Sequence, residues 1–542
     1  MSHSDPAPSS ERANLGDRLA ALDTYLHDFH AGSGAPGMAV TLFSGDEVLY
    51  EGLFGHRDQE RGYPVTADTI FGIASITKSF TVLTVLAQAA AGRLHLSDPV
   101  SRHSPLDLGD DVRLEHLLSN STGLPATPTM TWLRAADQWD DEVTGAKALA
   151  EAKLTLVRGA MGWSGGSAGA ADSAAAHDDG WRAVTNAELD AAAEALSDES
   201  AKTLLASLAP TVATPEGLSA WLVEHAHPRT RPGTQYSYSN DSFALAGHVV
   251  ERVSGAPFEA EVERAVLAPL GMTRTTFHLD RVLAEDDRTQ LYTRDAAGEV
   301  RASPPWQTTG RMLGGGMLRS TLNDLRRYVR FLMAPEAHPG VPVPAQAVRD
   351  MRRGRVVSGP SKGYALGLEH VRDYHGVSVV THSGSLKGVS SVMGFVPELG
   401  VGMVALCNLD GVPVAPLLYG ALNAALGVDL SERAYQPAAF ADDASDARAA
   451  LAEFLGGFRT GEPYGRLVIR TGTDDLGATC LLGAPDAVEL PALLVRRGEL
   501  ALQTPGQATT LTAVRDDAGA VIGVLTGSRV MWRVTGQEDR HA

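Results

Sequence analysis

Residues 15 to 29 place Leu15, Leu19, Leu22, Leu26 and Phe29 at helical spacing and predict an amphipathic helix. Two β-rich runs follow, Met38 to Phe43 and Val48 to Phe54, with Ser44-Gly45-Asp46-Glu47 between them as a hairpin turn. From Ser79 to Leu94 the apolar positions Phe80, Leu83, Leu86, Ala87 and Ala90 return to helical spacing, with Gly92 as a stop signal and Thr69 to Gly72 as an extended lead-in. Much later, Val377 to Thr381, Val389 to Val396 and Val401 to Cys407 read as strands, followed by a helix over Pro416 to Leu426. Strands near both ends with helices between predict a sheet assembled from the two ends of one domain.

The stretch 129–212 differs in texture. It holds Trp139, Trp163 and Trp181, the flexible Gly162 to Gly169 loop, and a helix pair around Leu189, Leu196, Leu204 and Leu208. It reads as an insertion, either a lid or a surface addition. Beyond Ala441, a short helix over Asp446 to Phe454 precedes six β-rich runs: Arg466 to Thr471, Ala478 to Leu482, Glu499 to Gln503, Thr509 to Arg515, Val521 to Thr526 and Val530 to Val534. Turn signals at that spacing predict an all-β barrel or sandwich. The expected division is 1–435, interrupted by 129–212, followed by a β-rich unit over 441–542.

At 542 residues the chain is long enough for three domains, or for one large domain with additions. Its net charge of −19 argues against nucleic acid or an anionic membrane as partner. Cys407 and Cys480 form no metal or redox spacing. Residues 1 to 28 lack the basic and apolar regions of a secretory signal, and no stretch is apolar enough to span a bilayer, so a cytoplasmic location is expected. Neither a cofactor nor a metal is implied.

Candidate chemistry starts at Ser75-Ile76-Thr77-Lys78, which sets a hydroxyl and an amine one helical turn apart. Chance alone gives about one Ser-x-x-Lys in a chain this long. Lysine, however, occurs only at Lys78, Lys147, Lys153, Lys202, Lys362 and Lys387, and no other has a serine three residues before it. A serine hydroxyl needs a base to act as nucleophile, and an unprotonated lysine can serve where burial disfavours its charge. Tyr238-Ser239-Asn240 offers a phenol to move a proton and a carboxamide to hold the Lys78 amine. Taken alone, Tyr238 reads as a core tyrosine. His382-Ser383-Gly384-Ser385 closes the Val377 run. Glycine there lets a substrate backbone approach, and the Ser385 and Ser75 N–H groups could form an oxyanion pair. Alone, His382 reads as a strand-end histidine facing water.

Together these three motifs, in this order, resemble the serine β-lactamase and penicillin-binding-protein superfamily, nearest to its branch of class C β-lactamases, DD-peptidases, D-aminopeptidases and esterases. The flanks Pro36 to Val40, Leu96 to Val100, Glu115 to Ser119, Thr122 to Pro125, Pro269 to Met272 and Gly314 to Met317 are similar too, and the likeness covers about 30–430. It implies an antiparallel sheet flanked by helices plus an all-helical subdomain, an α/β (α+β) fold, with a C-terminal barrel-like domain. It further implies Ser75 as acylated nucleophile, Lys78 as its proton partner, and Tyr238 as general base and acid. Asn240 would position substrate and lysine, and His382, Gly384 and Ser385 would line the substrate and oxyanion side. His382 stands where β-lactamases usually carry lysine, which shifts the expectation from penicillins toward peptidase, amidase or esterase work.

The expected activity is therefore acyl-enzyme hydrolysis of small peptides or amides, with D-residue or N-terminal preference as one option. A carboxylesterase, a β-lactamase and a catalytically idle scaffold are the alternatives. The expected partner is a small-molecule or short-peptide substrate, and a homo-oligomer is compatible with the sequence. Two decoys are set aside: Gly165-Gly166-Ser167-Ala168-Gly169 fits a nucleophile elbow but lacks the strand and helix it needs, and His225-Ala226-His227 lacks a third metal ligand.

Overall fold

The computed structural model describes residues 8–104, 108–124, 186–212, 230–295, 298–303, 313–433 and most of 444–533, with isolated positions between. The tryptophan-bearing part of the 129–212 insertion, the Gly165–Gly169 decoy and the His225/His227 pair lie outside the described residues. Of that insertion, the helices Asn186–Ala195 and Asp198–Val212 are described, with Leu204 and Leu208 packed against the main core.

The strands, in chain order, begin with β1 (Gly37–Ser44), β2 (Glu47–Asp58), β3 (Tyr63–Pro64) and β4 (Phe71–Gly72). Then come β5 (Tyr292–Arg294), β6 (Val300–Ala302), β7 (Arg319–Ser320), β8 (Val356–Gly359) and β9 (Lys362–Tyr364). The central set ends with β10 (Glu369–Tyr374), β11 (Val377–Leu386), β12 (Val389–Val396) and β13 (Val401–Cys407). Nine of these form one antiparallel sheet in the order β3-β2-β1-β13-β12-β11-β10-β9-β8. The N-terminal hairpin thus sits beside the late strands, as the two-ended pattern requires.

Alternation sorts the β1 side chains between two cores. Met38, Val40 and Leu42 face the helices Pro8–Ser33 and Ala415–Leu426, packing with Leu22, Leu26, Leu417 and Leu422. Ala39 and Phe43 face the other side, among Phe80, Tyr328, Val329 and Phe331 of the helices Thr77–Ala90 and Leu322–Met333. A strand buried on both faces reads as a continuous apolar run, which is what Met38 to Phe43 shows. Each large side chain taken fully out of water contributes on the order of 1.5–3 kcal/mol. Helices therefore cover both faces of the sheet, and the Thr77–Ala90 helix is pinned between the sheet and the helix Asn240–Ser254.

Downstream, β14 (Gly456–Arg459), β15 (Arg466–Thr471), β16 (Gly477–Leu482), β17 (Val488–Arg496), β18 (Glu499–Thr504), β19 (Gln507–Arg515), β20 (Val521–Thr526) and β21 (Arg529–Arg533) close into a barrel. The pattern had shown six of these eight strands. β14 opens on Gly456-Gly457, which reads as a turn, and β17 carries Pro491 in its middle, which removes a ladder donor. The barrel is not isolated. Val514, Leu525, Val530 and Trp532 pack with Tyr236, Val356 and Tyr364 of the main sheet side, and Tyr238 borders the same cluster.

Candidate active site

Ser75 does not sit inside the long helix. It occupies a 3₁₀ turn, Ala74–Ile76, between β4 and the helix Thr77–Ala90. The preceding residue, Ala74, has φ of 45°, a left-handed conformation that residues other than Gly, Asn and Asp seldom take. Such strain persists only where neighbours over-determine it, and here they do. Thr77 Oγ1 donates to Ala74 O at 2.6 Å and accepts from Leu318 N, while Ile73 N donates to Leu318 O. Ser391 Oγ, from β12, donates to Ile73 O at 2.9 Å. One turn further on, Tyr328 donates to Ser79 Oγ and stacks on Phe80 with ring centroids 3.8 Å apart.

Lys78 is 0% exposed. Its Nζ lies 3.1 Å from Ser75 Oγ, 2.7 Å from Asn240 Oδ1 and 2.5 Å from the Gly315 carbonyl oxygen. The ring of Tyr238 lies beneath it, 4.7 Å from Nζ to the centroid, and that of Phe243 lies at 5.5 Å. A buried amine carries a large penalty unless its donors find acceptors, and this one meets them on three elements. Gly315 belongs to the short helix Leu313–Gly316, wedged between the helices Thr77–Ala90 and Asn240–Ser254. A Cβ on Gly314 would stand 2.5 Å from Phe243 O, so only glycine permits that close approach.

Asn240 opens its helix, and the N-cap Ser239 accepts from Ser242 N. The segment before it is riveted by Asn120. Ser237 N donates to Asn120 O and Ser239 N to Asn120 Oδ1, both at 2.9 Å. Asn120 has φ of 52°, in the left-handed region asparagine tolerates. In the sequence Asn120 lies between the Glu115 to Ser119 and Thr122 to Pro125 flanks and belongs to neither. Its position in the run Ser119-Asn120-Ser121-Thr122-Gly123 was the available signal of a turn.

The third motif continues β11 as strand to Leu386. β10 pairs only with Val377 to Thr381, so from His382 onward the outer edge of β11 has no strand beside it among the described residues. A Cβ at Gly384 would lie 2.3 Å from Ile73 O and 2.4 Å from Ser391 Oγ, so the absence of a side chain lets β11 press against the turn that carries Ser75. Ser383 and Ser385 are exposed on either side of it.

His382 does not face water. It is buried, with Nδ1 2.6 Å from Ser383 O and Nε2 3.1 Å from the Tyr364 hydroxyl. A carbonyl oxygen only accepts, so Nδ1 carries the proton and Nε2 takes the Tyr364 O–H. Burial, with the Lys78 charge adding to it, lowers the imidazole pKa to about 4, so the ring is neutral at pH 7. Tyr364, 0% exposed, was invisible to motif reading. Burial pushes its phenol pKa up, which keeps the donor proton in place.

Ser75, Lys78 and Asn240 thus come together, with Tyr238 under the amine and the β11 glycine against the serine turn. A part-buried hydroxyl held beside a buried amine, next to an open strand edge, has the groups that forming and breaking an acyl ester requires. Among the described residues no group of metal-binding side chains is assembled, and no helix is long and apolar enough to cross a membrane.

Comparison with known proteins adds to this. The family model described as Beta-lactamase matches residues 22–426. Protein flp of Staphylococcus aureus (strain COL) is 23% identical over 413 residues, 74% of this chain and 65% of that protein. The chain thus spans just under two thirds of the length of these curated relatives. Unguisins hydrolase ungD of Aspergillus violaceofuscus is 25% identical over 226 residues, 37% of this chain and 40% of that one. Among solved structures, the octameric penicillin-binding protein homologue from Pyrococcus abyssi superposes with a TM-score of 0.59 at 22% identity, over 92% of this chain and 96% of that one. SurE crystallised with D-Leu gives 0.61 at 18% identity, over 96% and 100%. At this level of identity, both show the fold.

Proposed function

Because this chain belongs to the Beta-lactamase family, we propose that it is a serine hydrolase that cleaves small peptides or amides through an acyl-enzyme on Ser75. The observation that carries the reading is the set of bonds around Lys78 Nζ. Gly315 O and Asn240 Oδ1 can only accept. Held by both and set 3.1 Å from Ser75 Oγ, the amine, once it has given up a proton, is placed to take the one on the serine hydroxyl. That arrangement suits a base that withdraws the serine proton.

In the proposed sequence, Ser75 Oγ attacks the carbonyl carbon while its proton passes to Lys78. The backbone N–H groups of Ser75 and Ser385 take the oxyanion, each such donor being worth about 3–4 kcal/mol of barrier. Tyr238 relays a proton to the departing amine nitrogen as the C–N bond breaks. Water then attacks the Ser75 ester, its proton returning through the same groups, and releases the carboxylic acid with Ser75 as hydroxyl. Asn240 holds Lys78 and the substrate carbonyl, and the free edge of β11 gives the substrate backbone a place to pair.

A D-amino-acid preference draws support from the neighbour crystallised with D-Leu, and the hydrolase reading from the relative named for unguisins. Self-assembly is part of the same proposal, by likeness to the octameric homologue.

Hydrolysis of D- and L-amino acid p-nitroanilides, p-nitrophenyl esters and nitrocefin, each compared with Ser75→Ala, tests the reading. Release of p-nitroaniline that vanishes in Ser75→Ala is expected. Turnover of nitrocefin alone would overturn the substrate class, and turnover surviving Ser75→Ala would overturn the nucleophile.

A further inference from the structure

The serine-hydrolase reading has Tyr238 hand a proton to the leaving group, yet Tyr238 stands on neither helix nor strand. We propose that Asn120 is a positioning residue for that proton transfer: by bracketing Tyr238 on both sides it sets the reach of the phenol, and its loss falls hardest on substrates whose leaving group must be protonated. This rests on the serine-hydrolase reading.

Buried backbone N–H groups outside regular structure still need acceptors. Ser237 and Ser239, on the two sides of Tyr238, are both buried, and their N–H groups go to one residue. Ser237 N donates to the Asn120 carbonyl oxygen and Ser239 N to Asn120 Oδ1, at 2.9 Å each. The left-handed backbone of Asn120, at φ of 52°, is where its carbonyl and carboxamide oxygens both face that segment. Asparagine is one of the few residues that take this conformation readily. Asn120 is itself buried and fixed at the end of the short helix Leu114–Leu118, its N donating to Leu117 O. Its neighbour Ser121 donates from N to His116 O and accepts at O from Gly233 N at 2.7 Å.

The Tyr238 ring is met by Lys78 Nζ at 4.7 Å, the Tyr364 ring at 6.2 Å and the His382 ring at 6.3 Å. Ring contacts of this kind accept a range of placements, so the position of the hydroxyl follows from where the backbone is pinned. Lys78 depends on the bracket far less. Its amine is held by Ser75, Gly315 and Asn240, and Asn240 belongs to its own helix. Losing the bracket therefore loosens the phenol more than the amine.

The test compares the p-nitroanilide and the p-nitrophenyl ester of one acyl group. The anilide nitrogen must gain a proton as the C–N bond breaks, whereas p-nitrophenolate leaves with the C–O electron pair and needs none. Asn120→Gly keeps the backbone oxygen and the left-handed φ and deletes Oδ1. The anilide-to-ester ratio of kcat/KM should then fall about tenfold or more, as small misplacements of a reacting group do. A merely structural defect would lower both substrates alike and leave the ratio untouched. Tyr238→Phe should lower the same ratio, and adding Asn120→Gly to it should move the ratio by no more than about twofold, since both losses act through one phenol. Asn120→Asp keeps an oxygen toward Ser239 N and should hold the ratio within about twofold of wild type. A collapse of the ratio in that variant overturns the proposal whether or not the glycine variant folds. A ratio unmoved in Asn120→Gly, or losses that multiply in the double variant, also overturn it while the hydrolase reading stands. Should the wild type release no p-nitroaniline through Ser75, the reading as an amide hydrolase falls and takes this one with it.

Discussion

Tyr238 lies against both Lys78 and His382, with 4.7 Å from the amine to its ring centroid and 6.3 Å between the tyrosine and histidine rings. In the proposed mechanism its phenol carries the proton between Ser75, Lys78 and the leaving group. Tyr238→Phe keeps the ring under the amine and deletes only the hydroxyl. Acylation should slow by about 10²–10⁴, the usual contribution of a positioned acid–base group. A loss under about threefold in stopped-flow acylation would leave Lys78 acting alone. His382 supplies a second prediction at this scale. Its folded-state pKa, about 4, lies below the ordinary histidine value of 6.5. The unfolded chain therefore binds a proton in that interval and the native chain does not, and stability must fall as pH drops from 6.5 toward 4. Urea denaturation should show a shallower loss over that range for His382→Asn than for the wild type, and identical slopes would mean that the ring is not neutral when folded. Motif spacing singles out Ser75, Lys78, Tyr238, Asn240 and the β11 run, which the fold brings together, because each sits in a short local pattern. Asn120 and Tyr364 carry no such pattern. Their work lies in contacts with residues distant in the chain, and no local signal encodes those.

At the scale of elements, the site depends on β11 touching the turn that carries Ser75. Gly384 makes that contact possible, and Ser391 Oγ fastens Ile73 O from the adjacent strand. Gly384→Ala would force a methyl to within 2.3 Å of Ile73 O. Overpacking of this kind costs about 1–3 kcal/mol, so the variant should melt earlier and label more slowly with a fluorophosphonate. An unaltered melting temperature with full labelling would show that strand and turn are not in close contact. Hydrophobic period located the hairpin, the late strands and the main helices because burial enforces it. It failed where backbone chemistry competes. The 3₁₀ turn at Ala74–Ile76 looked like the start of the helix, and Pro491 and Gly456-Gly457 hid two barrel strands.

Across the whole molecule, the barrel and the Tyr238 side of the main domain share one apolar cluster. Trp532, Leu525, Val530 and Val514 close over Tyr236 and Tyr364, the residues flanking Tyr238 in sequence or in space. From sequence the barrel showed only as a separate β-rich tail, since a cluster spanning β8, β9 and β19 to β21 has no local signature. Trp532→Ala should cost on the order of 3–5 kcal/mol at its site and lower the acylation rate along with stability. A barrel acting as a mere appendage would instead unfold independently, leaving the rate on small esters unchanged.

The most direct measurement is intact-protein mass spectrometry with peptide mapping after brief exposure to a slowly hydrolysed acyl donor. The account predicts a single acyl adduct on the peptide containing Ser75, retained in Tyr364→Phe and absent from Ser75→Ala. An adduct on another residue, or catalytic turnover with Ser75 never acylated, would contradict it.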